Sequence, residues 1–201
     1  MKNVTERNDG RCPWCGDAPD YVEYHDRVWG RPVTDRDELF EKLCLDGQQA
    51  GLSWLTILRK QAGYQARFEG FQPERLAAWG DAEIEAALLD PGIVRNRRKV
   101  EAIVGNARAL LAMEHEGESF SAFLWSFVNN RPIINEFQTV QEVPDETPES
   151  RAMSRALKKR GFRFVGPTIC YAFMQAVGMV NDHLLGCPVR EETVKAGLEM
   201  G

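Results

Sequence analysis

The segment from residue 158 to residue 176, KKRGFRFVGPTICYAFMQA, constrains the fold of this 201-residue chain more than any other segment. Residues 150–159, which lead into it, carry apolar side chains at helical spacing. Pro167 suits the first turn of a second helix, where its missing N–H group costs nothing. Residues 161–166, between the two helices, have a glycine at each end, and glycine readily adopts positive φ. The segment therefore predicts two helices joined by a tight turn.

This turn has a basic rim formed by Lys158, Lys159, Arg160 and Arg163. The free N–H groups of such a turn and of the following helix start form an anion site. A helix–hairpin–helix that grips one DNA phosphate has this design. The alternative is an ordinary corner between two helices with a solvated basic rim. On the first interpretation the candidate DNA-binding residues are Lys159, Arg163, Gly166 and Thr168.

The composition limits the class of protein. With 43% apolar residues, the chain can bury a core as one domain or as two small lobes. No run of apolar residues approaches the roughly 20 that a membrane span needs, and residues 1–10 have no apolar signal core. We therefore expect a cytoplasmic protein with no membrane partner.

The net charge of −5 argues against nucleic-acid binding. However, acidic residues cluster at 142–149 and basic residues at 95–99, and a local patch decides phosphate contact.

Five side chains with metal-binding chemistry lie near the two ends of the chain: Cys12, Cys15, His25, His183 and Cys187. His183 and Cys187 share one face if their segment is helical. Zinc prefers four tetrahedral Cys and His ligands, and a Cys₂His₂ set closes a structural site. The residues leave five candidates for four positions. A redox-active CxxC and a hydrolytic zinc enzyme with an open coordination position are the alternatives.

The segment LDGQQAGLSW, residues 45–54, joins two predicted helices. Thr34 or Asp35 caps the first helix, and Asp46 falls near its end, where the helix dipole raises the pKa of a carboxyl group. Residues 51 and 52 form an exposed turn, and Ser53 caps a second helix over residues 54–68. Taken singly, Asp46 is most simply a surface carboxylate and Trp54 a core aromatic residue.

The remainder of the chain predicts further helices over residues 73–79, 81–89, 97–115 and 120–128. Residues 11–30 are rich in Pro, Gly and Asp, which predicts an irregular, aromatic-rich lobe. Residues 130–148 predict a long polar loop. Because strand alternation is absent, the predicted fold class is all-α.

Several motifs occur in order along the chain: RCxW, DxYxxYHDxxWGxP, LxGxQAGLSW, GIxRxRxKxxAIxGNA, WSFVN and LKKRGFxFVGxTICYxFMQAxGxVNDHxxGC. Together, from about residue 11 to residue 187, they resemble the bacterial 3-methyladenine DNA glycosylase I family. The resemblance implies an all-α helix–hairpin–helix glycosylase fold with a structural zinc lobe that joins the N- and C-terminal segments. It implies one domain in two lobes, residues 1–33 with 177–201, and residues 34–176.

The resemblance also assigns residues. The zinc ligands of the family fall on Cys12, His25, His183 and Cys187, which leaves Cys15 outside the set. The base pocket falls on Tyr24 and Trp54, with Tyr21 and Trp29 nearby. The pocket carboxylate corresponds to Asp46, where the family normally has a glutamate that is one methylene longer.

The implied reaction is hydrolysis of the N-glycosidic bond of 3-methyladenine in alkylated duplex DNA, after the nucleotide is flipped out of the helix. Asp46 and Tyr24 are the expected catalytic residues, and Gly51 and Leu52 form a wedge that fills the gap in the DNA. Asp182, next to His183, is expected to support the zinc site. Because the pocket motifs contain no lysine, a monofunctional enzyme is expected, acting as a monomer. The alternative is a non-catalytic, zinc-containing helix–hairpin–helix DNA-binding protein.

Overall fold

The computed structural model describes residues 9–200, and this part of the chain is mostly helical, as predicted. Residues 1–8 and residue 201 are outside the described range. Residues 1–8 are most of the N-terminal segment, residues 1–10, that has no apolar signal core in the sequence. Within that range, no helix has the length and apolar character needed to cross a membrane. The helices are α1 Pro19–Arg27, α2 Arg36–Gln49, α3 Trp54–Leu58, α4 Gln61–Arg67, α5 Pro73–Ala77, α6 Asp81–Leu88, α7 Arg97–His115, α8 Phe120–Ser126, α9 Pro148–Lys159, α10 Pro167–Ala176 and α11 Arg190–Leu198.

The all-α prediction misses one short parallel ladder. Strand β1, Ile133–Ile134, lies inside the predicted polar loop and pairs with β2, Val180–Asn181. Two residues are too few to give a period-two pattern, so sequence alternation could not have revealed these strands. The ladder attaches the loop to the segment that follows α10.

Two other segments differ from the prediction. Residues 11–30 contain helix α1, which starts with Pro19 in its first turn and so places Tyr21, Tyr24 and His25 on one element. The predicted helix over residues 54–68 is divided into α3 and α4. The division follows α3, where the Lys60 N–H group bonds to the Ile57 carbonyl at 2.9 Å, a tighter turn than that of an α-helix.

The main core lies where α2, α7, α9 and α10 meet. Helix α2 begins at its cap Asp35, whose side chain accepts hydrogen bonds from the N–H groups of Asp37 and Glu38. Its apolar face is fully buried, and the other three helices supply buried partners; these residues include Leu39, Phe40, Leu43, Val100, Ile103, Met153, Leu157, Phe173 and Met174. This packing fixes the last turn of α2 beside α10.

The link between α10 and β2 passes very close to the chain that follows α1. Val33 N–H bonds to the carbonyl of Val177 at 3.1 Å. Next to it, Gly178 has φ of +69°, and a Cβ there would lie 2.5 Å from the backbone nitrogen of Pro32. Only glycine fits this crossing without displacement of the backbone.

We predict that Gly178→Ala lowers the free energy of unfolding by about 2 kcal/mol or more, because positive φ and backbone overlap add. Thermal denaturation should show a decrease in Tm of roughly 4 °C or more. Gly105→Ala is the control, since that glycine is in α7 with nothing within 4 Å of the added Cβ. If the two variants melt alike, the crossing is not tight.

Candidate active site and metal centre

A cavity of about 190 Å³ opens between α1, α2, α3 and α10. The four aromatic residues predicted for the base pocket all line it, and Trp14 joins them. The ring centroids of Tyr24 and Trp54 are 5.4 Å apart, and Trp14 is 5.2 Å from Tyr21 and 4.9 Å from Trp29. The cavity is therefore a slot with aromatic walls, suited to a flat ring.

Asp46 lies in the last turn of α2, on the wall of this cavity, and is 1% exposed. It is therefore not a surface carboxylate. Its Oδ1 accepts a hydrogen bond from Lys42 Nζ at 2.5 Å. Its Oδ2 is buried and has no hydrogen-bond partner among residues 9–200. Burial raises the pKa of Asp46, and the positive charge of Lys42 opposes that increase.

Lys42 is a pocket residue that the sequence reasoning missed, so the premise that the pocket has no lysine is wrong. Its ammonium also lies 4.0 Å from the centroid of the Trp54 ring. Burial lowers the pKa of Lys42, and Asp46 opposes that decrease. The sequence feature that could have revealed this pair is the spacing of four residues between Lys42 and Asp46 on one helix. In the structure Lys42 donates a hydrogen bond to Asp46, and the protonated ammonium that does so has no lone pair for nucleophilic attack.

The two tyrosines of the pocket are protonated phenols at neutral pH. Burial raises the pKa of Tyr21 to about 12. The pKa of Tyr24 lies well above its usual value, again because of burial. Tyr24 can therefore stack on a ligand or donate a hydrogen bond, but it is not a general base.

Asp182 also lines the cavity, and its partners differ from those expected. One oxygen accepts a hydrogen bond from Asn135 at 2.7 Å, and the other accepts from Tyr171 at 2.6 Å and from Gln175 at 2.7 Å. Tyr171 and Gln175 lie one turn apart on α10, and Asn135 directly follows β1. Asp182 is thus held by a polar network in the pocket wall rather than by the metal-binding side chains, contrary to expectation.

A second group of side chains lies beside the pocket. The ligand atoms of Cys12, His25, His183 and Cys187 are within 4.8 Å of one another, and all four residues are buried. The Cys187 thiol is 3.6 Å from His25 Nε2 and 3.5 Å from His183 Nδ1. Its interaction with Cys12 lowers the pKa of Cys187 and raises the pKa of Cys12. This donor set fits one tetrahedral cation such as zinc.

The outer ring nitrogens of both histidines are also bonded. His25 Nδ1 lies 2.7 Å from Asp26 Oδ1, and His183 Nε2 lies 3.2 Å from the carbonyl of Trp29. Arg11 in turn holds the Asp26 carboxylate at 2.9 Å. Such partners fix the tautomer and direct the inner nitrogens toward a metal.

The segment from His183 to Cys187 is a turn and not the helix on which their shared face was predicated. The Cys187 N–H group bonds to the Leu184 carbonyl at 2.8 Å, which closes the turn. Cys15 is buried, but it is outside the group of four.

The α9–α10 turn, residues 160–166, forms as predicted between two helices, with Pro167 in the first turn of α10. Positive φ occurs at Gly161, +92°, and at Phe164, +55°, whereas Gly166 is extended with φ of −63°. Asn106 braces the turn through both the N–H and the carbonyl of Arg163. Gly166 is therefore not required for backbone conformation.

The basic rim of this turn is smaller than the sequence suggests. Arg160 makes a bidentate pair with Glu118 and stacks on Phe123. Lys158, Lys159, Arg163 and Thr168 are exposed. Arg163 lies 4.0 Å from a carboxylate oxygen of Glu101 at the limit of an ion pair, and Lys158, Lys159 and Thr168, with the first N–H groups of α10, remain available to an anion.

Of the four basic residues at 95–99, Arg95 and Arg98 are exposed, whereas Arg97 and Lys99 are engaged by other parts of the chain. Arg97 pairs with Glu85 and Glu101. Lys99 is 5% exposed and donates to the carbonyls of Gln48 at 2.6 Å and Ala50 at 2.7 Å. It thereby stabilises the chain that leads into the turn at residues 51 and 52.

That turn is exposed, as predicted. Gly51 has φ of +77°, and Leu52 is 41% exposed at its tip. Ser53 caps α3 by accepting a hydrogen bond from the Thr56 N–H group. An exposed apolar side chain thus lies two residues before Trp54, which lines the aromatic slot.

The family model described as methyladenine glycosylase matches residues 14–191. This chain belongs to that family. It is 54% identical over 177 residues to DNA-3-methyladenine glycosylase 1 of Escherichia coli, covering 88% of this chain and 95% of that one. It is 52% identical over 180 residues to DNA-3-methyladenine glycosylase of Haemophilus influenzae, covering 90% and 97%.

The fold is similar to that of 3-methyladenine DNA glycosylase I from Staphylococcus aureus, whose structure was solved to explain how that enzyme recognises 3-methyladenine. Its TM-score is 0.88 at 38% identity, and the match covers 90% of this chain and 97% of that chain. Such agreement over nearly the full length of both chains places the aromatic slot within a glycosylase fold.

Proposed function

We propose that this protein is a DNA-3-methyladenine glycosylase that hydrolyses the N-glycosidic bond of 3-methyladenine in alkylated duplex DNA and leaves an abasic site. The observation that carries the proposal is the buried Asp46 carboxylate on the wall of an aromatic slot, where one of its oxygens lacks a hydrogen-bond partner among residues 9–200. A buried polar atom without a partner is costly, so its position favours a ligand that supplies a hydrogen-bond donor.

The slot suits an alkylated purine in two ways. The faces of Tyr24 and Trp54 attract a cation, and a nucleotide methylated at N3 carries a positive charge that adenine lacks. Asp46 Oδ2 accepts a hydrogen bond from the exocyclic amine of the base. The cation–π interaction favours the damaged base over the normal one, and the hydrogen bond to Asp46, which adenine can also make, orients the base.

The chemical step demands little acid catalysis, because the methylated base is already a good leaving group. The protein's contribution is to flip the nucleotide, hold the base and stabilise the developing positive charge on the sugar while water attacks. Leu52, on its exposed turn, is positioned to enter the stack as the base leaves.

Asp46→Asn keeps the shape of the side chain and removes its charge. We predict that single-turnover release of 3-methyladenine falls by roughly tenfold to a hundredfold, the loss expected for one hydrogen bond to a charged group. Affinity for alkylated duplex DNA should change far less, because phosphate contacts dominate affinity.

Asp46→Glu, with the longer carboxylate, is the matched comparison: it should retain activity if the slot admits one methylene and lose it if the packing does not. An Asp46→Asn protein with the wild-type single-turnover rate would remove Asp46 from the site. Retained DNA binding with no base release by the wild type would support the non-catalytic DNA-binding alternative.

We also infer that the α9–α10 turn grips one phosphate of the DNA backbone as a helix–hairpin–helix. The support is the combination of exposed Lys159, Arg163 and Thr168 with the N-terminus of α10. No atom of the described residues lies within 4 Å of a Cβ built on Gly166, apart from its chain neighbours, so glycine leaves space there for a close approach of the ligand.

Gly166→Ala should therefore fold normally and bind DNA of any sequence more weakly, by roughly threefold to thirtyfold. Gly80→Ala is the matched control, because Gly80 also precedes a helix and its Cβ would make only an ordinary contact at 3.6 Å. Binding should be titrated at two salt concentrations, since phosphate contacts weaken with salt. Equal affinities for the two variants would contradict the phosphate grip.

We propose that Cys12, His25, His183 and Cys187 hold one structural zinc ion. Four protein ligands leave no open position, so the metal would stabilise the fold and not activate water, which disfavours a hydrolytic zinc enzyme. The site would join the N- and C-terminal segments as one lobe of a two-lobed, cytoplasmic, monomeric protein.

Cys12→Ser should reduce the zinc content from about one ion per chain to nearly none and lower Tm, because metal binding contributes directly to folding. Cys15→Ser should leave the zinc content unchanged. The measurements are elemental analysis of the purified protein and thermal denaturation with and without a chelator. Loss of zinc in the Cys15 variant alone would show that the ligand set is wrong.

A further inference from the structure

The pocket contains a buried charged residue, Lys42, to which the proposed reaction gives no role. Lys42 Nζ donates a hydrogen bond to Asp46 Oδ1 at 2.5 Å, and the two side chains are 15% and 2% exposed. Asp46 Oδ2 has no hydrogen-bond partner among residues 9–200. Lys42 therefore occupies one oxygen of the pocket carboxylate and leaves the other for a ligand.

The ammonium group of Lys42 is itself held in place. It lies 4.0 Å from the centroid of the Trp54 ring, and α2 places it one turn before Asp46. Burial lowers the pKa of Lys42, and the negative charges of Asp46 and Glu41 oppose that decrease. A carboxylate rotates readily about its last torsion, so a contact with a fixed ammonium sets its orientation.

Lys42 is also the positive charge that faces Asp46. Burial raises the pKa of Asp46, whereas the charge and the hydrogen bond of Lys42 lower it. The other titratable groups that face Asp46 offer no positive charge. Tyr24 of α1 is a phenol and Cys170 of α10 is a thiol, and burial raises the pKa of both. Asp182, which follows β2 and lines the same cavity, is a second carboxyl group.

We propose that Lys42 is a positioning residue for base release, which acts through Asp46 by orienting its carboxylate and holding it in the charged form. The inference rests on the proposed glycosylase function. A buried carboxyl group that loses its positive partner tends to take up a proton. The amine of the base would then bond to a neutral oxygen, and such a bond is weaker than one to a charged oxygen.

The test is the pH dependence of single-turnover release of 3-methyladenine from alkylated duplex DNA. Lys42→Met removes the positive charge, so the pKa of Asp46 rises further and its ionised fraction at neutral pH falls. Release at neutral pH should fall about tenfold and should recover as the pH is raised. The acid limb of the profile, where the rate falls with decreasing pH, should lie about one pH unit or more higher than in wild type.

Lys42→Gln is the second variant, because it keeps a donor for Asp46 Oδ1 but has no charge. Its acid limb should also move to higher pH, and it carries the test if the methionine variant fails to fold. Thermal denaturation establishes that each variant is folded. Affinity for alkylated duplex DNA should remain close to that of wild type, since phosphate contacts dominate affinity.

Lys195→Met is the matched control. Lys195 of α11 forms an ion pair of the same spacing with Glu199, but both side chains are exposed, so its loss should leave the pH profile unchanged. A double variant tests whether Lys42 acts through the carboxylate. Lys42→Met combined with Asp46→Asn should release the base at about the rate of Asp46→Asn alone.

Three results would overturn the inference. In the folded Lys42 variants these are a wild-type pH profile or a profile lowered equally at every pH, which indicates a purely structural role. The third is a further tenfold loss when Lys42→Met is added to Asp46→Asn, because Lys42 would then act independently of the carboxylate. Release of no base by the wild type would instead contradict the proposed function itself.

Discussion

Helix α2 packs against α10 and against the α9–α10 turn, and both proposed sites depend on this contact. At Gly47 a Cβ would lie 3.1 Å from Phe164 Cβ and 3.2 Å from the Phe164 carbonyl, so the last turn of α2 touches the backbone of the α9–α10 turn directly. Asp46 precedes Gly47. The carboxylate that we propose contacts the base and the turn that we propose binds the phosphate are therefore fixed to one another by backbone contact, which makes their separation a rigid property of the fold.

The four side chains that we propose bind zinc also contact a wall of this pocket. The ring of Trp29 lies 4.6 Å from that of His183, nearly perpendicular to it, and the Trp29 carbonyl lies 3.2 Å from the outer nitrogen of His183. Trp29 also forms part of the aromatic wall. A metal that fixes His183 thus restrains a wall of the slot, although it is not positioned as a reactant. If the proposed zinc ion is bound there, it would affect base binding through the position of Trp29 and not as a reactant.

The sequence predicted those features that follow from local periodicity and capping, and missed those that follow from tertiary contact. Helix α7 has the predicted bounds because an apolar stripe runs between the cap Asn96 and its end. The ladder of β1 and β2 was missed because its pairing is long-range and only two residues long. At Gly166 glycine was assigned a conformational role that Phe164 carries instead. The aromatic residues of the pocket were located by resemblance, since spacing alone could not distinguish them from core residues.

Lys42 illustrates why a buried site is hard to derive from its parts. A Lys and an Asp four residues apart on a helix usually form a solvated surface pair worth little. Here α3 covers the pair and places Trp54 against the ammonium, so the same two residues become a buried donor and acceptor. Burial makes it costly to leave either group without a partner, so the pair favours a ligand that supplies one. The chemistry of this site thus arises from what covers α2 as much as from the residues that α2 carries.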